Sequence, residues 1–367
     1  MASSVMRVYL DNAATTPVRP EVKAAMVGAL DVFGNPSSVH GEGQAARMAV
    51  DGARKAVGEL IGVRAERVVL TSGGTEAANL ALRSVVGRGR VVVSAVEHDC
   101  VLETAKALGG TVVPVDGDGV VRLEALEDEL KRGGVALVSV MHANNETGVL
   151  MPVAEVAALA HKYGALCHTD AVQTVGHVDV NMDALGVDML SLTAHKFGGP
   201  KGVGVLVVKS EVQDRMVAQM TGGAQERNRR AGTENVVGIV GLGAAVKALD
   251  VARERETVAG LMERFVAGLE GLPLEVVAPK AAKVGHVVQL VGPMLGEDMV
   301  MALDMQGVAV SQGSACSSGR VAVSHVLRAM GVEEGAARRA FRVSMGWGTS
   351  PRDVEQMLAT MAGIFKK

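Results

Sequence analysis

Short runs of branched and straight-chain apolar residues recur through the middle of the chain, at 68–71, 91–94, 111–115, 136–140, 165–168 and 203–208. Most intervals between them carry apolar positions at helical spacing, so strands alternate with amphipathic helices. Such alternation predicts an α/β fold with a largely parallel sheet covered by helices on both faces. Ligands in these sheets gather beyond the carboxyl ends of the strands. Thr71 to Glu76, Glu97-His98, His142 to Glu146 and Asp170 come just after such runs, and Thr193 to Lys196 just before one. Residues scattered in sequence are thereby expected to converge on one sheet edge. After Gly241 the pattern changes to a helix over 253–269, strands at 275–277 and 286–290, a helix over 297–305 and a strand at 341–344. Ser350 and Pro351 suit the cap and first turn of a last helix. This part reads as a smaller α+β domain. The stretch 222–233, with Arg227, Arg229 and Arg230 between glycines, reads as a loop, and no internal repeat or low-complexity tract occurs.

Composition narrows the picture. The 367 residues suffice for two domains, or for one large α/β unit with an appendage. Hydrophobic residues make up 48% but aromatics only 2%, which predicts an aliphatic core with the 19 methionines filling irregular gaps. A net charge of −3 and the lack of a basic stretch argue against nucleic acid and anionic lipid as partners, and favour a small soluble one. No apolar run is long enough to span a bilayer, and residues 1–7 lack the features of a secretory signal, so the cytoplasm is the expected compartment. Three cysteines are too few and too scattered for a disulfide framework or a zinc cluster, and no metal is expected. Cys100 and Cys167 read as packing residues. Cys316, inside Gly313-Ser314-Ala315-Cys316-Ser317-Ser318-Gly319, reads as an exposed thiol on a mobile loop.

Lys196, in the stretch from Ser191 to Gly202, follows Asp170 by one strand-sized step. A lysine with an upstream acid suggests pyridoxal phosphate, whose aldehyde takes an amine and whose ring nitrogen takes a carboxylate. On these residues alone a solvated lysine beside a Gly-Gly-Pro turn is also open. Gly74 and Thr75, between a strand and a helix, suit a phosphate at the helix start, or Thr75 simply caps the helix. His98 can stack on a ring or move protons, or be structural. Asn145 and Gln173 can reach the cofactor's phenolic oxygen, and Asn145 alternatively a substrate carboxylate. Arg342 offers a fork for that carboxylate or a surface ion pair.

Together with Tyr9-Leu10-Asp11-Asn12-Ala13-Ala14-Thr15-Thr16-Pro17, Gly34-Asn35-Pro36-Ser37-Ser38-Val39-His40, Arg230-Ala231-Gly232-Thr233-Glu234-Asn235 and Phe341 to Gly346, these motifs run in order from residue 9 to about 350. In that order they resemble the cysteine desulfurases, in the class V aminotransferase branch of the fold type I pyridoxal phosphate enzymes. The resemblance implies a large domain over 14–250 with a mostly parallel seven-stranded sheet. It also implies a smaller α+β domain from 1–13 and 251–367 that carries a catalytic loop at about 311–322. By position, Lys196 matches the Schiff-base lysine, Asp170 the partner of the ring nitrogen, Gln173 that of the ring oxygen and His98 the stacking histidine. Gly74, Thr75, Thr193 and His195 match the phosphate site, and Thr233 a position supplied across a homodimer interface. Asn145, Arg342 and Asn35 match substrate-binding positions, and Cys316 the nucleophile that receives sulfur from L-cysteine. The loop around Cys316 looks like that of group I, which delivers persulfide to an iron–sulfur scaffold or another acceptor. Thr193 stands where serine is frequent, Gly198 where a larger residue is usual, Ala340-Phe341-Arg342 replaces a common Ser-Ile-Arg, and the tail after Gly346 is short. The resemblance implies that Lys196, with His98 assisting, moves protons while Cys316 takes the sulfur and alanine leaves. An aminotransferase or lyase of the same fold, and more distantly a non-catalytic assembly subunit, are the alternatives.

Overall fold

The computed structural model describes residues 7–214, 216–313 and 323–366. Twelve strands occur among them: β1 Val8–Tyr9, β2 Val68–Thr71, β3 Arg90–Ser94, β4 Thr111–Val113, β5 Val135–Ser139, β6 Leu166–Asp170, β7 Met189–Thr193, β8 Gly204–Val208, β9 Glu275–Val276, β10 Val287–Val291, β11 Val308–Ala309 and β12 Ala340–Ser344. Strands β2 to β8 form one seven-stranded sheet in the order β2-β8-β7-β6-β5-β3-β4. All neighbours are parallel except β8, which runs against both β7 and β2. Strands β2 to β7 therefore point the same way, and the turns that follow them leave at one edge.

Both faces of this sheet are covered, as the unbroken apolar runs require. Alternate residues serve opposite cores: Val92, Val138, Val205 and Val207 join the helices 41–61 and 236–248 on one side. Val91, Val93, Leu137, Leu206 and Val208 join the helices 74–83 and 99–107 on the other. β7 is the strand that the apolar pattern does not announce. Met189-Leu190-Ser191-Leu192-Thr193 has a single β-branched residue, yet all five are buried, and pairing with β6 and β8 sets the strand in place. Thr193 to Lys196 thus follow a strand as well as precede one.

Beyond residue 250 a second sheet, β12-β10-β9, is antiparallel. β1 pairs in parallel with β11, and Asp11 bridges Ser344, so the start of the chain lies beside this second sheet. Val8, Leu10, Phe265, Leu303, Phe341 and Met357 share its core. Met182, Met189, Met345, Met357 and Met361 are fully buried, as an aliphatic core demands, whereas Met48, Met301 and Met305 are exposed and fill no gap. The last helix, Pro351–Phe365, opens with the expected Ser350 cap, completed by Asp353, whose carboxylate accepts from the Ser350 N–H at 2.7 Å. The expected loop at 222–233 contains a helical turn, Gln225–Asn228, in which Glu226, Arg227 and Asn228 have φ of 49°, 57° and 62°. Three left-handed residues without glycine are costly. The Glu226 carboxylate offsets that cost by accepting from both Arg54 Nη atoms at 2.7 Å and from the Leu70 N–H at 2.9 Å. No helix among the described residues is long and apolar enough to cross a membrane.

Candidate active site

The turns after β2, β3, β5, β6 and β7 meet at a cavity of about 200 Å³. Ten of the sequence's candidates line it: Gly74, Thr75, His98, Asn145, Asp170, Gln173, Thr193, His195, Lys196 and Arg342. Asn35 and Thr233 do not; both are exposed, and the Asn35 side chain accepts from the Ser37 N–H at 2.8 Å. Cys316 lies outside the described residues, although Gly313 lines the cavity. Cys100 also lines it, half-buried, where packing alone is expected; Cys167 is buried as expected.

Lys196 ends a single 3-10 turn, Ala194–Lys196, directly after β7. Each carbonyl from 195 to 198 has its own donor. Thr16 serves His195 through its N–H at 2.8 Å and its hydroxyl at 2.9 Å. His177 Nε2 serves Lys196 at 3.2 Å, Arg19 Nε serves Phe197 at 3.0 Å, and the Arg19 N–H serves Gly198 at 2.9 Å. The backbone is therefore fixed while the lysine side chain reaches the Ala13 and Ala14 carbonyls. Gly198 has a physical reason to lack a side chain: φ is +90°, and a Cβ there would meet Arg19 Cγ at 2.5 Å. Arg19 continues outward to Glu254 at 2.6 Å and stacks its guanidinium 5.3 Å from the Trp347 ring centre.

Asp170 ends β6 as a buried carboxyl. Burial raises its pKa, opposed by a hydrogen bond from the Val172 N–H and by the charges of His98 and Lys196. Such a group gains most from a cationic N–H partner. His98 caps the helix Asp99–Ala107, its Nδ1 accepting from the Cys100 N–H at 3.1 Å, so the ring is neutral with hydrogen on Nε2. Burial lowers its pKa despite Asp170, with Lys196 lowering it further. Gln173 Nε2 donates to the Ala13 carbonyl at 2.9 Å.

Gly73 precedes the helix Gly74–Arg83 without any capping side chain, so Thr75 is not the helix cap and the leading N–H groups remain for a ligand. A Cβ on Gly74 would lie 3.1 Å from Val172 Cγ2, which reserves this wall for backbone. Thr193 and His195 flank it; burial, with Lys196 and Lys201, pushes His195 down to about 4, leaving a neutral ring. Opposite, Arg342 is buried, ion-paired with Asp11 at 2.8 Å and donating to the Asn145 carbonyl at 2.8 Å. It is not the surface ion pair that an isolated arginine suggests. The arrangement suits a ligand with an anion at one end, a protonated ring nitrogen at the other and an electrophilic carbon between. Sequence reasoning missed Asp11, Arg19, Glu97 and the Ala13 and Ala14 carbonyls. Asp11, Ala13, Ala14 and Glu97 stood in recognised motifs with no role assigned, Arg19 stood in none, and no spacing rule marks a backbone oxygen.

A family model described as Aminotransferase class-V matches residues 8–357. A cysteine desulfurase from Cereibacter sphaeroides is 44% identical over 378 residues, covering 98% of this chain and 95% of that protein. Cysteine desulfurase IscS of Dictyoglomus turgidum is 40% identical over 376 residues, with the same coverage of 98% and 95%. Among solved structures, a NifS-like protein from Rickettsia africae superposes with a TM-score of 0.91 at 31% identity, covering 98% of this chain and all of that one. SspA in complex with cysteine gives a TM-score of 0.83 at 31% identity, covering 92% of this chain and 98% of that one.

Proposed function

The chain belongs to the class-V aminotransferase family and acts as a cysteine desulfurase, and from that premise we propose that it uses pyridoxal 5′-phosphate to convert L-cysteine to L-alanine, with Cys316 receiving the sulfur. The observation that carries this reading is the meeting of Lys196, buried Asp170, Gln173 and the uncapped helix start at Gly74 and Thr75 around one cavity. These residues fit the cofactor. Lys196 would hold it through Nζ, Asp170 the ring nitrogen, Gln173 the ring oxygen and His98 the ring face. Gly74, Thr75, Thr193 and His195 would hold its phosphate. When bound, the cofactor supplies an electron sink for negative charge at the substrate's α-carbon.

The chain's own residues supply the rest. Arg342 and Asn145 hold the substrate carboxylate, and Asp11 fixes the Arg342 fork. Lys196 Nζ, as a free amine, would take the α-proton, with His98 assisting later protonation. The Cys316 thiolate bonds to the substrate sulfur as the carbon–sulfur bond breaks. That electron pair stays with the carbon skeleton, which gains a proton and leaves as alanine. Gly313 in the cavity wall is three residues from Cys316, a reach of at most about 11 Å. The persulfide then passes to an iron–sulfur scaffold or another acceptor protein. A thiol that must return to its reduced form fits a cytoplasmic setting.

A homodimer is part of this reading. Val27, Leu30, Phe33, Val39 and Met48 are exposed in one stretch, with Phe33 at 82% and Val39 at 88%, and Thr233 and Asn35 stand outside the cavity of their own chain. A second copy would cover the apolar residues and bring Thr233 to a phosphate. The deciding experiment incubates the protein with L-cysteine and measures alanine together with the mass of the Cys316 peptide. Equimolar alanine and a gain of one sulfur are expected, and both are lost in Cys316→Ser. Keto-acid production without that gain would replace this reading with a transaminase.

A further inference from the structure

Two histidines beside the cavity, His177 half-buried and His286 buried, have no task in this reading. His177 follows β6 in the segment that carries Gln173, and His286 directly precedes β10; their rings stack with centres 3.6 Å apart and 11° between planes. His177 Nε2 lies 3.2 Å from the Lys196 carbonyl oxygen, which can only accept, so this nitrogen carries hydrogen. His286 Nε2 lies 3.4 Å from Gln173 Oε1. The Gln173 amide is oriented by Ala13, whose carbonyl accepts from Nε2 at 2.9 Å; the reversed amide would set oxygen against oxygen. Oε1 therefore faces His286, and His286 also donates through Nε2.

We infer that His177 and His286 are positioning residues: a stack of two neutral imidazoles, each with hydrogen on Nε2, that holds the Lys196 backbone and turns the Gln173 amide so that an N–H faces the cavity. The inference rests on the pyridoxal phosphate reading, because the ring oxygen expected at Gln173 is an acceptor. The surroundings agree with neutrality. Burial pushes His177 down to about 4, with Arg19 and Lys196 adding to the effect. Burial, then His177, Lys196 and Arg342, hold His286 well below the ordinary histidine range. A stacked imidazolium would face Lys196, Arg19 and Arg342 with no carboxylate among the groups that perturb the pair. The ring-oxygen partner is thus selected by hydrogen-bond direction and not by a nearby charge.

The full-length chain tests this, both as apoprotein and loaded with pyridoxal phosphate. With nitrogen-15-labelled histidine, the apoprotein at neutral pH should show both residues as Nε2–H tautomers, assigned by loss of their signals in His177→Phe and His286→Phe. Phenylalanine keeps the stack and removes the donor. Loaded His286→Phe should bind the cofactor about three- to tenfold more weakly, the worth of one hydrogen bond. The pH midpoint of its visible absorption should also move, and His286→Asn, which keeps a donor, should recover part of both. An Nδ1–H or charged state of either ring in the wild type overturns the inference, as does a folded His286→Phe protein with wild-type affinity and midpoint. Wild-type protein that gains no visible absorption on loading removes the cofactor reading, and the inference with it, so the two failures are told apart by that band.

Discussion

At Glu97 the fold buries a carboxyl completely and gives its oxygens unequal company. Oε1 accepts from Ser94 Oγ at 2.5 Å and from the Met141 N–H at 2.8 Å, while Oε2 has no partner among the described residues. Burial, aided by the charge of Asp170, raises its pKa from 4.5 to about 8. Between those values the unfolded chain has lost a proton that the folded one keeps, so stability falls as pH rises through that window and levels off above about 8. The slope is bounded at about 1.4 kcal/mol per pH unit. Glu97→Gln, which imitates the protonated acid, should gain about 2 kcal/mol on the wild type between pH 5 and pH 8 in urea unfolding of the apoprotein. A pH-independent difference would remove this account. Arg342→Lys, which cannot serve Asp11, the Asn145 carbonyl and a carboxylate together, should raise KM for cysteine about tenfold with a smaller effect on kcat. Neither residue's setting was legible in the sequence. Glu97 looked like a neighbour of His98, and Arg342 could be assigned only through the family's pattern.

Elements were more legible than their packing. Runs of valine announced β2, β3, β5 and β8 because branched residues buried on both faces leave an unbroken signature. β7 carries no such signature, and its strand character comes from two neighbours that only the fold supplies. The turn after it depends on a contact equally hidden in sequence, between Gly198 and Arg19. Gly198→Ala places a Cβ 2.5 Å from Arg19 Cγ at a left-handed φ of +90°. A loss of about 2–4 kcal/mol is expected in thermal unfolding, with slower borohydride trapping of Lys196 in the loaded protein. Wild-type trapping would show that the turn does not need Arg19 in place. At the last helix the expectation is modest: Ser350→Ala removes one capping bond and should cost about 1 kcal/mol without touching cofactor affinity.

For the whole molecule, the proposed homodimer makes a prediction that no single chain can satisfy. Lys196→Ala lacks the anchoring amine, and Thr233→Ala lacks the group expected from across the interface. If Thr233 serves the other subunit, a mixed dimer of the two variants keeps one site with both residues intact. Co-expressed chains should then recover close to half the wild-type activity per mixed dimer, measured as alanine released, whereas each variant alone stays impaired. No recovery, with dimers confirmed by light scattering, would place Thr233 in its own chain's site. Arg19, which passes from the Phe197 carbonyl to Glu254 and Trp347, has a further consequence at this scale. Trp347 is the only tryptophan in the chain, and its Nε1–H is held by the Pro17 carbonyl at 3.0 Å, so its ring is fixed beside a guanidinium that grips the lysine turn. The protein's tryptophan emission therefore comes from one ring tied to the lysine turn, and its colour and brightness should follow that turn without any added dye.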